Sequence, residues 1–305
     1  MLNGPLLNGP LLNGPVSVVT GATGGLGYAT AVGLAQDGRR VVLTGRDQGR
    51  GEAALARLGR EVPGAAAGFE LLDLASLRSV AAFAERAGSY GSIDVLVNNA
   101  GVMALPTRQT TEDGFELQFG TNYLGHFALT GRLLPLLRGA RVVSVSSLAH
   151  RRAAIHFDDL QGAREYLPWV AYGQSKLAML MFARELQARA MRNGWPVTSI
   201  AAHPGWAATS IILNGPGAGH PGLRERVMQA GFSLVGQSVE AGARPILFAA
   251  TSPAAAGGGY YGPGGLGEIR GALAPSRVRP QAADPEAARR LWAESERLTG
   301  VAFRL

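Results

Sequence analysis

Tyr172 and Lys176 stand four residues apart in AYGQSKLA (171–178). Lys176 is the only lysine in a chain of 305 residues with 29 Lys+Arg, so arginine is the default cation here and this position is an exception. On a helix, residues i and i+4 share a face, which puts the ammonium one turn from the phenol. A free phenol ionises at about pH 10, too high for a base at neutrality. A cation about 5 Å away, at an effective dielectric of about 20, is worth roughly 3 kcal/mol, or roughly 2 pKa units. The expectation is a phenol made acidic enough to exchange a proton with a reacting oxygen. A compact ammonium also reaches sugar hydroxyls where the planar guanidinium fork fits poorly.

A second group of residues is suited to an anion. TGATGGLG (20–27) follows the strand pattern VSVVT and opens a helical pattern. Glycines at such a turn let the backbone approach a pyrophosphate, and the helix start adds free N–H groups and a positive dipole end. The spacing reads as Gly21-x3-Gly25-x-Gly27 or as Gly21-x2-Gly24-x2-Gly27, which leaves two related families of dinucleotide binder open. The next strand ends VVLTGRD, with Arg46 where an NAD site carries an acid for the ribose 2′-hydroxyl. Arginine accepts a 2′-phosphate instead, so NADP(H) is the expected cofactor. Asp47, one residue on, is the rival that would face the ribose. Asp73, closing the third strand in LLDL, is placed at the adenine edge or as a helix cap.

The elements that must hold these groups alternate. Apolar strand patterns cover 16–20, 40–44, 69–72, 93–97, 141–146 and 197–202, with a last strand in YYGPGG (260–265). Helical patterns cover 25–37, 50–59, 76–87, 113–137, 170–192, 239–250 and 284–298. Continuous β-branched strands between helices predict an α/β fold, a parallel sheet covered on both faces. Such sheets bind ligands beyond the carboxyl ends of their strands, where all of these groups fall. Residues 16–305 read as one domain and 1–15, MLNGPLLNGPLLNGP, as an N-terminal arm of LLNGP repeats.

Composition narrows the function. The absence of cysteine excludes disulfides, thiol nucleophiles and Cys-ligated metal. The net charge of +7 is spread over arginines interleaved with acids, without stacking aromatics, so nucleic acid is not an expected partner. His126, His150, His156, His203 and His220 contain no i, i+4 pair and read as packing or surface residues, so no metal is expected. The first cation is Arg39 and no run of about 18 apolar residues occurs, so neither a secretory leader nor a membrane span is expected and the location reads as cytoplasmic.

Taken in order, TGATGGLG, NNAG (98–101), TNYLGHF (121–127), the strand-end serines of SVSS (144–147), YGQSK and HPG (203–205) resemble the short-chain dehydrogenase/reductase family. The resemblance implies a doubly wound, seven-stranded parallel Rossmann sheet in the order 3-2-1-4-5-6-7, and a catalytic tetrad of Asn122, Ser147, Tyr172 and Lys176. It assigns to the cofactor Gly21, Thr23, Gly25, Leu26, Gly27, Arg46, Asp73, Leu74, Asn99, Ala100, Gly101, Pro204, Gly205 and Thr209, with Tyr172 and Lys176. Ser147 would orient a substrate carbonyl toward Tyr172, with Ser146 the other choice. Asn122 would hold a relay water or pin its helix. The separation of Ser147 and Tyr172 is longer than the family's usual one, and the insert between them is similar to that of retinol-dehydrogenase-like members.

Residues 206–236, with Trp206, Ile211, Met228 and Phe232, are by the same analogy a lid over the substrate. With Met103 and Leu148 they suggest an apolar ketone or aldehyde and its alcohol. Two other readings stand beside this one: an extended-type sugar-nucleotide epimerase or reductase, and an NADP-binding redox sensor without turnover. A homodimer or homotetramer follows from the family analogy only.

Overall fold

The runs VSVV, RVVLTG, IDVLVN and ARVVSV are apolar at odd and even positions alike, so neither face of their sheet can be left in water. In the computed structural model, which describes residues 6–8, 16–206 and 237–304, both faces are buried. The strands are β1 (Leu6–Asn8), β2 (Val16–Val19), β3 (Arg40–Gly45), β4 (Ala67–Leu71), β5 (Ile93–Asn98), β6 (Ala140–Val145), β7 (Val197–Ala202), β8 (Tyr260–Pro263) and β9 (Leu273–Pro275). They form one sheet in the order β1-β4-β3-β2-β5-β6-β7-β8-β9. Strands β2 to β8 are parallel to one another, and counted alone they run in the expected order.

Each edge carries a strand that periodicity did not reveal. β1 lies antiparallel on β4, with Leu6 opposite Phe69, and β9 antiparallel on β8, with Tyr261 opposite Pro275. Strands this short show no period of two. Part of the expected N-terminal arm is thereby an edge strand.

The helices are α1 (Gly25–Gln36), α2 (Gln48–Glu61), α3 (Leu77–Ala87), α4 (117–133), α5 (Pro168–Asn193), α6 (Val239–Thr251), α7 (Pro280–Ala283) and α8 (Pro285–Thr299). Alternate strand residues feed two cores. Val16, Val18, Ile93 and Leu96 pack with Phe127, Phe182 and Trp292 on one face. Val19, Val95 and Val97 pack with Leu34, Leu58 and Ile246 on the other. Phe182 stacks on Trp292 at 5.7 Å and Phe127 meets the same indole edge-on at 5.1 Å. This aromatic cluster fixes α5, which carries Tyr172, against α4 and α8.

α4 is shorter than the 113–137 pattern predicts. Thr110 bridges to Glu116 ahead of it, and the Glu116 carboxylate accepts from Gln118 N and Phe119 N, which starts the helix there. Pro135 ends it by forcing a tight turn over Leu134–Leu136. Its stretch Gly120–Leu124 is π-helical, around Asn122. Among the described residues no helix is long and apolar enough to cross a membrane.

Candidate active site

The carboxyl ends of β2, β5, β6 and β7 bring the segments 20–27, 98–101, 146–147 and 203–205 to one rim of the sheet. At the first of these, Gly24 precedes α1 without a side-chain cap, so no side chain claims the first-turn N–H groups. Gly25 has φ +52, and a Cβ built on Gly24 or Gly25 would meet nothing within 4 Å. The helix start therefore faces open space, a cradle into which an anionic pyrophosphate fits. Gly27 is the opposite case. A Cβ there would lie 2.3 Å from the Gly21 carbonyl oxygen and 2.5 Å from Asn99 Nδ2, so only glycine lets α1 begin against the loop. Gly21 backs onto Ala100, and Asn99 Nδ2 donates to the Thr20 carbonyl at 2.8 Å. Segments 20–27 and 98–101 are one packed unit. Thr23 lies against Gly45, and Leu26 is half-buried beside it in sequence.

Just beyond β3, Arg46 is exposed. Its neighbour Asp47 is committed elsewhere: Oδ1 accepts from Arg50 N at 2.8 Å and caps α2. Asp73 is half-buried, and its Oδ1 accepts from Ala75 N at 2.9 Å. Ser76, not Asp73, caps α3, so the capping alternative for Asp73 is corrected. Leu74 is buried in the core cluster that includes Phe119 and Phe127.

Tyr172 and Lys176 share one face of α5, as their spacing predicts, and both are buried. Lys176 Nζ donates to the Val145 carbonyl at 3.1 Å and stands 5.9 Å from the centroid of the Tyr172 ring. Ser147 Oγ accepts from Ala149 N at 3.3 Å, and its hydroxyl favours ionisation of the neighbouring Tyr172 phenol. Ser146 is turned away, its Oγ donating to the Lys176 carbonyl at 2.8 Å. Asn122 Oδ1 accepts from Val102 N at 2.8 Å, and Nδ2 donates to the Val102 carbonyl and to Ser175 Oγ, each at 2.9 Å. Both amide hydrogens are thus spent on protein, which favours the pin over the water holder. Gly101 lies between: a Cβ on it would sit 3.0 Å from Asn122 Oδ1 and 3.5 Å from Lys176 Nζ.

The electrostatics correct one expectation. Burial pushes the Tyr172 phenol up to about 12, opposed only in part by Ser147. Burial also pushes the Lys176 ammonium down to about 8. Desolvation outweighs the charge–charge attraction reckoned from spacing alone, because both groups leave water together and the ammonium turns to a carbonyl. The phenol therefore stays protonated across the neutral range.

At the rim's far end, Gly205 N donates to His203 Nδ1 at 3.1 Å, and His203 Nε2 faces Glu268 Oε2 at 3.0 Å and Ser276 Oγ at 2.9 Å. Arg151, from the insert, pairs with the same Glu268 oxygen at 2.9 Å. Burial opposes ionisation of Glu268, but His203, Arg277 N and Arg151 together hold its carboxyl down to about 2. Pro204 O accepts from Gln237 Nε2, and Trp206 N donates to the Ile269 carbonyl at 2.8 Å. Thr209 and the rest of the lid beyond Trp206 lie outside the described residues. Among the described residues no group of His, Asp and Glu side chains is arranged for a metal.

Four positions escaped the sequence reading. Thr20 Oγ1 accepts from Asn99 N at 2.8 Å and Ala100 N at 3.0 Å. Ser175 Oγ receives Asn122 and donates to the Tyr172 carbonyl at 2.8 Å. Trp169 meets the Tyr172 ring edge-on at 6.0 Å and is half exposed. His126 is wholly buried against Asn122. Thr20, Ser175 and His126 stand inside the motifs, the last read only as a packing or surface residue, and Trp169 stands outside them.

The chain matches the family model described as short chain dehydrogenase over residues 15–214. It is 43% identical to a polyprenol dehydrogenase of Mus musculus over 297 residues, 94% of this chain and 84% of that protein. It is 41% identical to retinol dehydrogenase 13 of Homo sapiens over 295 residues, 93% and 84% of the two chains. A crystal structure of a protein from Mycobacterium Paratuberculosis superposes with a TM-score of 0.78 at 40% identity, covering 98% of each chain. Salutaridine reductase from Papaver somniferum shares the fold, with a TM-score of 0.62 at 20% identity over 81% of this chain and 99% of that one.

Proposed function

From the premise that this chain belongs to the short chain dehydrogenase family, whose hydride carrier is a nicotinamide dinucleotide, we propose that it is an NADP(H)-dependent oxidoreductase interconverting an apolar ketone or aldehyde and its alcohol. The observation that carries the reading is the meeting of buried Tyr172 and Lys176 with half-buried Ser147 on the rim that also carries the glycine cradle. Gly21, Thr23, Gly25, Leu26 and Gly27 would hold the pyrophosphate, with Asn99, Ala100 and Gly101 behind it. Bound there, the nicotinamide supplies or accepts the hydride.

The residues supply the rest. Ser147 orients the substrate oxygen. Tyr172 gives that oxygen its proton as the carbonyl carbon becomes a carbinol, and takes it back in the reverse direction. Lys176 stabilises the phenolate left by that transfer. Because burial keeps the phenol protonated, Tyr172 is poised to give its proton to a carbonyl oxygen at neutral pH. Exposed Arg46 supports a 2′-phosphate, as does the engagement of Asp47 Oδ1 in the α2 cap. The alcohols named in the two relatives, retinol and polyprenol, support an apolar substrate, as do Trp169 and Trp206, both partly exposed.

The test is NADPH oxidation, followed by nicotinamide absorbance, with retinal, a polyprenal and short polar aldehydes. Turnover is expected with the apolar carbonyls, and Tyr172→Phe is expected to abolish it while NADPH still binds. NADPH binding without turnover across the panel, or undiminished activity in Tyr172→Phe, overturns the assignment.

A further inference from the structure

His126 has no role in the mechanism above, yet its two ring nitrogens are fully engaged inside the protein. Nδ1 lies 2.8 Å from the Asn122 main-chain oxygen, and Nε2 lies 2.9 Å from Thr20 Oγ1. A carbonyl can only accept, so the proton sits on Nδ1. Burial, with the nearby Lys176 charge, pushes the imidazole down to about 3, so Nε2 carries a bare lone pair. The single Thr20 hydroxyl proton has two acceptors in reach, the bare Nε2 at 2.9 Å and the Val97 carbonyl at 3.1 Å; directed to the nearer, it makes Thr20 the donor to His126, while the hydroxyl oxygen takes Asn99 N and Ala100 N. The result is a one-way line of donors. It runs from the 98–101 loop through Thr20, the last residue before the glycine turn, and through His126 to Asn122.

Asn122 sits in the π-helical stretch and by its side chain holds Val102 and the Ser175 hydroxyl of the Tyr172 helix. Its backbone position therefore sets the distance between the cofactor loops and the tetrad. We propose that His126 is a positioning residue, which in its neutral Nδ1–H form ties the Asn122 main chain to Thr20 and holds the dinucleotide cradle and the tetrad as one unit. This rests on the oxidoreductase reading for its catalytic consequence, though not for its geometry. A ring that merely filled space would be replaceable by any apolar ring of its size.

Three variants separate the two roles. Asparagine places an amide nitrogen near the position of Nδ1, glutamine near that of Nε2, and phenylalanine offers no donor. His126→Phe is expected to bind NADPH within about threefold of the parent while kcat falls by about tenfold or more. His126→Asn should recover most of that loss, and His126→Gln should not. Independently of turnover, nitrogen-15 NMR of the parent protein should show one His126 ring in the Nδ1–H form, unchanged between about pH 5 and 8. An Nε2–H form, titration in that range, a folded His126→Phe with parental kcat, or an Asn variant no better than Phe would each overturn the proposal. Should His126→Phe fail to fold, the NMR form and the Asn–Gln contrast still decide. Absence of turnover in the parent would count against the oxidoreductase reading alone, since the NMR result needs none.

Discussion

The side-chain amide of Asn122 donates to Ser175 Oγ at 2.9 Å, which locks a π-helical turn of α4 onto the helix that carries Tyr172 and Lys176. The link is buried, and the Ser175 hydroxyl passes its own proton to the Tyr172 carbonyl. Removing Asn122 leaves Val102 N, the Val102 carbonyl and Ser175 short of partners at once. Asn122→Ala is expected to destabilise the fold by about 2 kcal/mol and to lower kcat more than it raises the KM for NADPH. Denaturant unfolding and steady-state kinetics measure the two effects. A variant of parental stability would show that the pin is unimportant.

Adjacent serines are expected to fail in different ways. Ser147→Ala removes the hydroxyl beside the Tyr172 phenol and should reduce kcat/KM for the carbonyl by about a hundredfold with little change in stability. Ser146→Ala removes the side-chain donor from the Lys176 carbonyl and should lower stability by about 1 kcal/mol, with a smaller effect on rate. Equal kinetic losses in the two variants would contradict the placement of Ser147 at the reacting oxygen.

Arg46 and Asp47 are likewise separable. Arg46→Asp should raise the KM for NADPH and improve use of NADH, because it removes the cation and restores an acid for the ribose. Asp47→Ala should cost about 1 kcal/mol of stability through loss of the α2 cap and leave cofactor preference unchanged. Cofactor kinetics and thermal melts of the pair provide the check.

Acidity should act on rate and stability with opposite signs. Lys176, held down to about 8, loses its charge as pH rises through that value, and the reduction rate should fall above it. On the acid side, His126 and His150 are buried and neutral, held down to about 3 and about 4. A folded-state pKa below the unfolded value means that the unfolded chain takes up protons first, from about pH 6.5 downward. Stability contributed by these rings is complete above that pH and is lost as pH falls toward 4 and 3, each by up to about 1.4 kcal/mol per pH unit. Thermal midpoints measured across this interval should fall on acidification, and less steeply in His150→Phe if that variant folds.

Much of the architecture was legible because its signals are local. Valine-rich runs separated by helical periods specify a parallel sheet without reference to anything distant, and Tyr172 and Lys176 share a face because four residues make one turn. Gly21 and Gly25 likewise mark a turn at positive φ, and Gly27 a contact with no room for a Cβ. The parallel sheet and the shared face of Tyr172 and Lys176 follow from such short-range rules, whereas the strand order β4-β3-β2-β5-β6-β7-β8 was what the family resemblance implied. The edge strands β1 and β9 follow from neither, since three residues carry no periodicity and pair only where a neighbour is already in place.

What remained belonged to the packed molecule. The choice of Ser147 over Ser146 depends on which hydroxyl Lys176's own carbonyl captures, and the capture is made across thirty positions of chain. Asp47 became a helix cap through its geometry at the start of α2, which composition does not reveal. The direction of the Tyr172 shift turned on how completely α4, α5 and the sheet remove water from the phenol and the ammonium together. Residue type and spacing name the groups that meet. The surrounding dielectric and the partners each group finds are sums over the whole tertiary structure, and they decide which proton moves.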